Sequence, residues 1–223
     1  MILYKSKDPF IDSYNIIVMS KNSKSVQYAE RCMESCKRVG VKNVEYFEAV
    51  DGSTKQGDIL YPFPNSEIPL RLSGVKITNS KLSQSEVSCF LSHFLLWQKC
   101  IITDRPLIVL EHDALLLRPY DKMDFSNCIV YLGNEYYKEA EYRDPSYESP
   151  YCRHSDPNNP YIDRTHAYAI DPFVARRLVA KVISHGICTA VDAFMSFNDF
   201  CIVQPVPYIA TIDAGETTIQ HSG

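Results

Sequence analysis

Between Asn15 and Val50 the hydrophobic period changes twice, and that alternation limits the fold more than any other stretch. Asn15-Ile16-Ile17-Val18-Met19 reads as a strand. The polar turn Ser20-Lys21-Asn22-Ser23 leads into a helix expected from about Lys24 to Val39. There Val26, Ala29, Cys32, Met33 and Cys36 recur at three and four residues, and Gly40 is a natural stop. Val44 to Val50 is a second strand, closed by the turn dipeptide Asp51-Gly52. Strand, helix and strand in this order favour parallel pairing. A chain of 223 residues buries a sizeable core, and a single domain over 1–223 is expected.

Residues 53–80 show no period and carry Pro62, Pro64 and Pro69, so an irregular excursion is expected. The best-defined helix follows. Ser83-Gln84-Ser85-Glu86 reads as a capping box, and Val87, Phe90, Leu91, Phe94 and Leu95 form an apolar stripe. Glu86 and His93 lie two turns apart on one side of it. The plain readings are a capping acid and a hydrogen-bonded histidine at the core edge.

This helix feeds Pro106-Leu107-Ile108-Val109-Leu110, an apolar run ending in Glu111-His112-Asp113. In a strand, residues 111 and 113 share one side. Two hard oxygen ligands there suit Mg²⁺ or Mn²⁺ with diphosphate oxygens. The alternative is two solvated acids in a turn after a core strand. Beyond them, Cys128 to Leu132 is a strand, 134–164 a long surface loop and Thr165 to Ile170 another strand. Asp171-Pro172 opens a helix that Gly186 stops. A short helix around Val191 to Asn198 and a strand from Phe200 to Val206 complete the pattern. His154, in the 134–164 loop, has no assigned role.

A net charge of −4 gives no basic footprint for nucleic acid. None of the eight cysteines is spaced as C-x-x-C, and most sit in apolar segments as small hydrophobes. The N-terminus has no apolar h-region and no run approaches a membrane span, so a reduced, soluble, cytoplasmic chain is expected.

Leu82-Ser83-Gln84-Ser85-Glu86-Val87-Ser88-Cys89-Phe90-Leu91-Ser92-His93, followed by Trp97 and then Ile108-Val109-Leu110-Glu111-His112-Asp113-Ala114, resembles glycosyltransferase family 25. That family holds lipooligosaccharide and collagen galactosyltransferases. Phe47 to Gly52, Thr165 to Ile170, the helix with Ala175, and Val191-Asp192-Ala193-Phe194 extend the likeness over roughly residues 14 to 205. There are two departures. His112 stands where the family's acidic triplet has a middle Asp, and the arginines often seen after the first strand are absent, with Ser20, Lys21 and Lys24 in that region.

The resemblance implies a GT-A-type, Rossmann-like α/β fold with a mixed sheet flanked by helices. It implies a UDP-sugar donor, UDP-galactose or UDP-glucose first, and transfer with inversion to a glycan acceptor. A lipid-linked acceptor would be met at the inner membrane surface. Glu111 and Asp113 would hold Mn²⁺ or Mg²⁺, with His221 closing over the metal from the tail. Asp192 is the candidate base, its plainer role being a helix N-cap. Ser20, Lys21 and Asp51 are expected near the nucleotide, and Glu86 and His93 at the donor sugar. Two other readings stand beside this one. A transferase acting on modified DNA bases is opposed by the net charge. A degenerate, non-catalytic binder is favoured by His112 and the missing arginines and opposed by Glu111, Asp113 and Asp192.

Overall fold

A computed structural model of the chain describes residues 13–51, 60–61, 70–71, 75–120, 127–133, 151–153, 164–205 and 207–213. In β1 (Ser13–Val18), Tyr14, Ile16 and Val18 face one side of a sheet and Ile17 the other, and all four are buried. α1 (Ser23–Arg38) begins where Asn22 leaves helical geometry. The Asn22 side chain accepts the Lys24 and Ser25 N–H groups at 3.0 and 3.1 Å. Such a cap is worth about 1 kcal/mol. Lys37 and Arg38 meet the negative end of the helix dipole. β2 (Val44–Glu48) then pairs parallel to β1, as the sequence pattern leads one to expect.

The stretch expected to be irregular carries ladder structure at two points. β3 (Leu60–Tyr61) and β4 (Leu70–Arg71) pair antiparallel, and Ile77 bridges to Ile187. α2 (Gln84–Thr103) has its capping box. The Ser83 hydroxyl oxygen accepts the Glu86 N–H at 3.2 Å, and Glu86 Oε2 accepts the Ser83 N–H at 2.7 Å. The expected stripe is buried with Trp97, which packs on Phe90 and Phe94, and so are Leu96 and Cys100 on other sides of the helix. α2 stops at Asp104, whose φ of 50° is left-handed.

The remaining elements are β5 (Leu107–Glu111), β6 (Ala114–Leu116), β7 (Cys128–Tyr131), β8 (Tyr151–Arg153), β9 (Ala167–Ile170), α3 (Pro172–His185), α4 (Val191–Phe194), β10 (Cys201–Pro205) and β11 (Ala210–Ile212). Asp171 caps α3 by accepting the Val174 N–H at 2.7 Å. Two expectations need correction. The helix near Val191 stops at Phe194, because the chain turns at Met195 and tightens through Ser196, whose carbonyl accepts the Asp199 and Phe200 N–H groups. The 134–164 stretch is not all loop: β8 pairs antiparallel with β10.

Seven strands form one sheet in the order β2-β1-β5-β9-β7-β10-β8. β1, β2, β5, β7 and β10 run one way, and β9 and β8 run the other. Beside it, β6 and β11 pair antiparallel. Ile108 and Leu110 turn to the α1 face, where Ala29, Cys32 and Cys36 meet them. Leu107 and Val109 turn to the α2, α3 and α4 face. On that face Phe194 lies 4.8 Å from Phe90, edge to face, and stacks on Trp97 at 6.2 Å. Each such buried aromatic stabilises the fold by about 2–3 kcal/mol.

The chain leaves β1 toward β2 on one side and leaves β5 toward the strands on the other. Between the C-terminal ends of β1 and β5 lies the switch point where open α/β sheets take ligands. Among the described residues, no helix is long and apolar enough to cross a membrane.

Candidate active site

Glu111 is the last residue of β5, and it opens the crevice. Its register partner on β1 is Ile17, and its N–H donates to His166 O at 2.8 Å. Side-chain alternation puts Glu111 on the α2 face with Leu107 and Val109. There its carboxylate accepts the Thr165 hydroxyl proton at 2.7 Å and lies 3.4 Å from His93 Nε2. Burial pushes the Glu111 carboxyl up, but His93 and Thr165 together overcome it and bring it down to about 2. Glu111 is therefore an ionised carboxylate.

His93 is held from behind. Trp97 Nε1–H donates to the Tyr168 hydroxyl at 2.9 Å, and that hydroxyl lies 2.9 Å from His93 Nδ1. The indole can only donate, so the Tyr168 hydroxyl accepts from it, and the direction of its bond to His93 Nδ1 follows the imidazole tautomer. His93 Nε2 faces the Glu111 carboxylate, which only accepts, and this places a proton on Nε2. At 3.4 Å the contact is longer than a full hydrogen bond, so Nε2 is a fully buried donor with capacity left over. The Tyr168 and His93 rings stack, 5.7 Å apart. The hydrogen-bonded histidine expected at the core edge is thus entirely inside the core, with one nitrogen aimed at the crevice.

The strand ends at Glu111, so strict alternation does not carry through to Asp113. His112 and Asp113 form a two-residue turn before β6. The His112 ring goes to the α1 side, 5.8 Å from Tyr28. Asp113 stays close enough to Glu111 to feel its charge. Burial first, and then Glu111, raise the Asp113 carboxyl to about 7. Asp113 Oδ1 is buried with no hydrogen-bond partner among the described residues. A carboxyl that is hard to ionise beside an ionised one, with an oxygen unspent, is what a cation relieves.

A second ligand set overlaps the first. Cys89 is one turn before His93 on α2, and the ligand atoms of Cys89, His93 and Glu111 lie within 4.8 Å of one another. Burial and the acids Glu111, Asp192 and Asp113 push the Cys89 thiol well up. It is a thiol in this environment, and the harder carboxylate pair suits Mn²⁺ or Mg²⁺ better.

Asp192 faces the same cluster from α4. Burial raises its carboxyl, Glu111 adds to that, and the Ala193 N–H, donating to Oδ1 at 2.8 Å, works against it. Asp192 is not the cap of α4. That position is Ala190, which offers no capping side chain, and Asp192 sits in the first turn. The short helix is fixed by Phe194 and by Lys181, whose Nζ donates to Phe194 O at 2.7 Å.

Ser20, Lys21 and Asp51 gather past the ends of β1 and β2. Ser20 donates through N–H and Oγ to Glu48 Oε1 at 3.1 and 2.9 Å, and Lys21 Nζ lies 3.2 Å from Asp51. The Lys21 side chain is 81% exposed, so that pair adds at most about 1 kcal/mol and its ends are open to a ligand. The Val50 N–H donates to Ser92 Oγ at 2.9 Å, which ties this corner to α2 beside His93. The Glu86 carboxylate is engaged in the capping box. His221 lies outside the described residues, as does His154. The sequence reading gave no role to Glu48, Thr165 or Tyr168; β9 alternation places Tyr168 on the α2 face, but its partners come from a distant helix.

Fold and crevice together define a Rossmann-like α/β protein with acids where such sheets hold nucleotides. The family model described as glycosyltransferase family 25 (LPS biosynthesis protein) matches residues 27–195, most of the chain. The chain belongs to glycosyltransferase family 25. It is similar to the lipooligosaccharide biosynthesis protein lic2B of Haemophilus influenzae, 35% identical over 80 residues. That match covers 35% of this chain and spans about a quarter (26%) of the relative's length.

Proposed function

We propose that the chain is a GT-A-type, metal-dependent transferase that moves a hexose from a UDP-sugar to a glycan acceptor, with inversion. The observation that carries the reading is the pair Glu111 and Asp113 at the switch point, one ionised and one held near 7 with a buried oxygen unspent. Membership of family 25 supports the reaction class. The likeness to the lipooligosaccharide biosynthesis protein lic2B supports an acceptor of the lipooligosaccharide kind. Galactose and glucose are the hexoses in view. A lipid-linked acceptor would be reached from the cytoplasmic side, at the membrane surface.

Glu111 and Asp113 would hold Mn²⁺ or Mg²⁺, whose charge would offset the negative charge gathering on the diphosphate leaving group. His93, fixed by Tyr168 and Trp97, orients the Glu111 carboxylate. Lys21, with Ser20 and Asp51, meets the nucleotide end. The acceptor hydroxyl oxygen attacks the anomeric carbon as the bond to the diphosphate oxygen breaks and its electron pair leaves with UDP. Asp192 takes the hydroxyl proton. Its raised carboxyl makes it a stronger proton acceptor than an ordinary aspartate.

The test uses the purified full chain, a lipooligosaccharide-type acceptor, and UDP-, GDP- and CMP-sugars with Mn²⁺ or with EDTA. Turnover of one UDP-hexose that needs the metal, and a product whose NMR coupling gives the inverted anomer, is the expected result. Absence of turnover with every donor in the presence of Mn²⁺ would overturn the reading.

A further inference from the structure

The geometry points to Cys128 and Cys201 as an oxidation site: a low-molecular-weight disulfide would link them into a bond stapling β7 to β10. The two thiols are direct register partners on neighbouring parallel strands, and their sulfurs lie 2.9 Å apart. Paired positions on adjacent strands put Cα atoms about 5 Å apart, inside the roughly 4.4–6.8 Å window of a disulfide. The sulfurs need to close by only about 0.9 Å to reach a bond of about 2.05 Å. Both residues are partly exposed, so a small oxidant reaches them.

Other cysteines are placed differently. Cys32 and Cys36 are one turn apart on α1 but wholly buried, and Cys100 is buried against Arg105 O and Ile170 O. Burial pushes the Cys100 thiol well up, away from the reactive thiolate. Cys188 is exposed and, among the described residues, has no thiol recorded against it, so it marks what a single thiol does under the same oxidant.

The exchange balances in two steps. The thiolate of one cysteine attacks a sulfur of the small disulfide and expels one small thiolate, which takes up the proton released. The second cysteine thiolate then attacks the protein sulfur of the mixed disulfide and expels the other small thiolate. Two protein thiols are oxidised, and one small disulfide is reduced to two thiols. The bond would close the segment that carries β8, β9, α3 and α4, and with it Thr165, Tyr168 and Asp192. It lies at the N-terminal ends of β7 and β10, away from Glu111 at the C-terminal end of β5.

The experiment treats the reduced full chain with glutathione disulfide, alkylates the remaining thiols, and maps peptides by mass spectrometry without reduction. Expected are a Cys128–Cys201 linked peptide short of two hydrogens, glutathione on Cys188, and a Tm higher by roughly 5 °C than the reduced protein. In Cys201→Ser the linked peptide and the Tm rise disappear, and glutathione stays on Cys128. Separate alkylation or glutathionylation of Cys128 and Cys201 in the wild type would overturn the proposal. So would a bond from Cys201 to Cys152, or an undiminished Tm rise in Cys201→Ser.

Discussion

The two ends of the central sheet are built on opposite principles. At the N-terminal end of β7, Asp171 accepts the Val174 N–H and also the Asn127 N–H at 2.9 Å. At the same end of the sheet, at the start of β1, Lys99 lies buried against Asn15 and Glu45. At the C-terminal end of β5, by contrast, Asp113 Oδ1, His93 Nε2 and His166 Nε2 are buried without full hydrogen bonds. An unsatisfied buried polar group costs about 1–3 kcal/mol. The first end uses its polar groups to hold the chain, and the second leaves capacity for something that is not part of the chain.

Substitutions at the two ends should therefore separate activity from stability. The largest effect is expected at Asp192→Asn, which removes the proposed proton acceptor while leaving the crevice beside Glu111 in place. Steady-state kinetics should show turnover reduced about 10²- to 10⁴-fold with the UDP-sugar KM little changed. A KM change alone would move Asp192 from proton transfer to binding.

His166 probes the same end through pH. Burial brings its imidazole down from 6.5 to about 4, so the folded protein holds it neutral. The folded value is depressed, so this contribution is present above about 6.5 and is lost as pH falls toward 4. The gap corresponds to about 3 kcal/mol. Denaturant unfolding across that window should show wild type losing up to this amount more than His166→Asn. Parallel curves would mean His166 titrates alike in both states.

At the opposite end, Asp171→Ala removes a helix cap and the acceptor for Asn127. A loss of about 1–2 kcal/mol is expected in denaturant unfolding, with kcat unchanged. If activity falls as well, the two ends are not independent. The smallest effect belongs to Glu86→Gln. Glutamine also completes a capping box, so stability should stay within about 0.5 kcal/mol. Loss of turnover in that variant would place Glu86 at the sugar after all.

What the sequence made legible was local. β1, α1, β2, α2 and α3 follow from short-range periods, and Asn22, Ser83 and Asp171 mark their starts through hydrogen bonds within three residues. Glu111 and Asp113 were legible as an acidic pair, because the strand ends where the apolar run does. The rest depends on distant pairing. The insertion of β9 antiparallel between β5 and β7 is a tertiary choice, and it alone brings Tyr168 to Trp97 and His93. The Cys128–Cys201 contact spans 73 positions and leaves no local trace. Asp192 looked like a cap because caps and first-turn acids share residue types; only the backbone at Ala190 separates them.

Calorimetric titration of UDP into the wild type and Asp113→Asn, each with Mn²⁺ and with EDTA, reads the switch-point site itself. UDP should bind the wild type only with metal present, and Asp113→Asn should weaken that binding at least about tenfold, worth about 1.4 kcal/mol. Equal UDP affinity in EDTA, or full metal-dependent affinity in Asp113→Asn, would contradict a metal–diphosphate site built on Glu111 and Asp113.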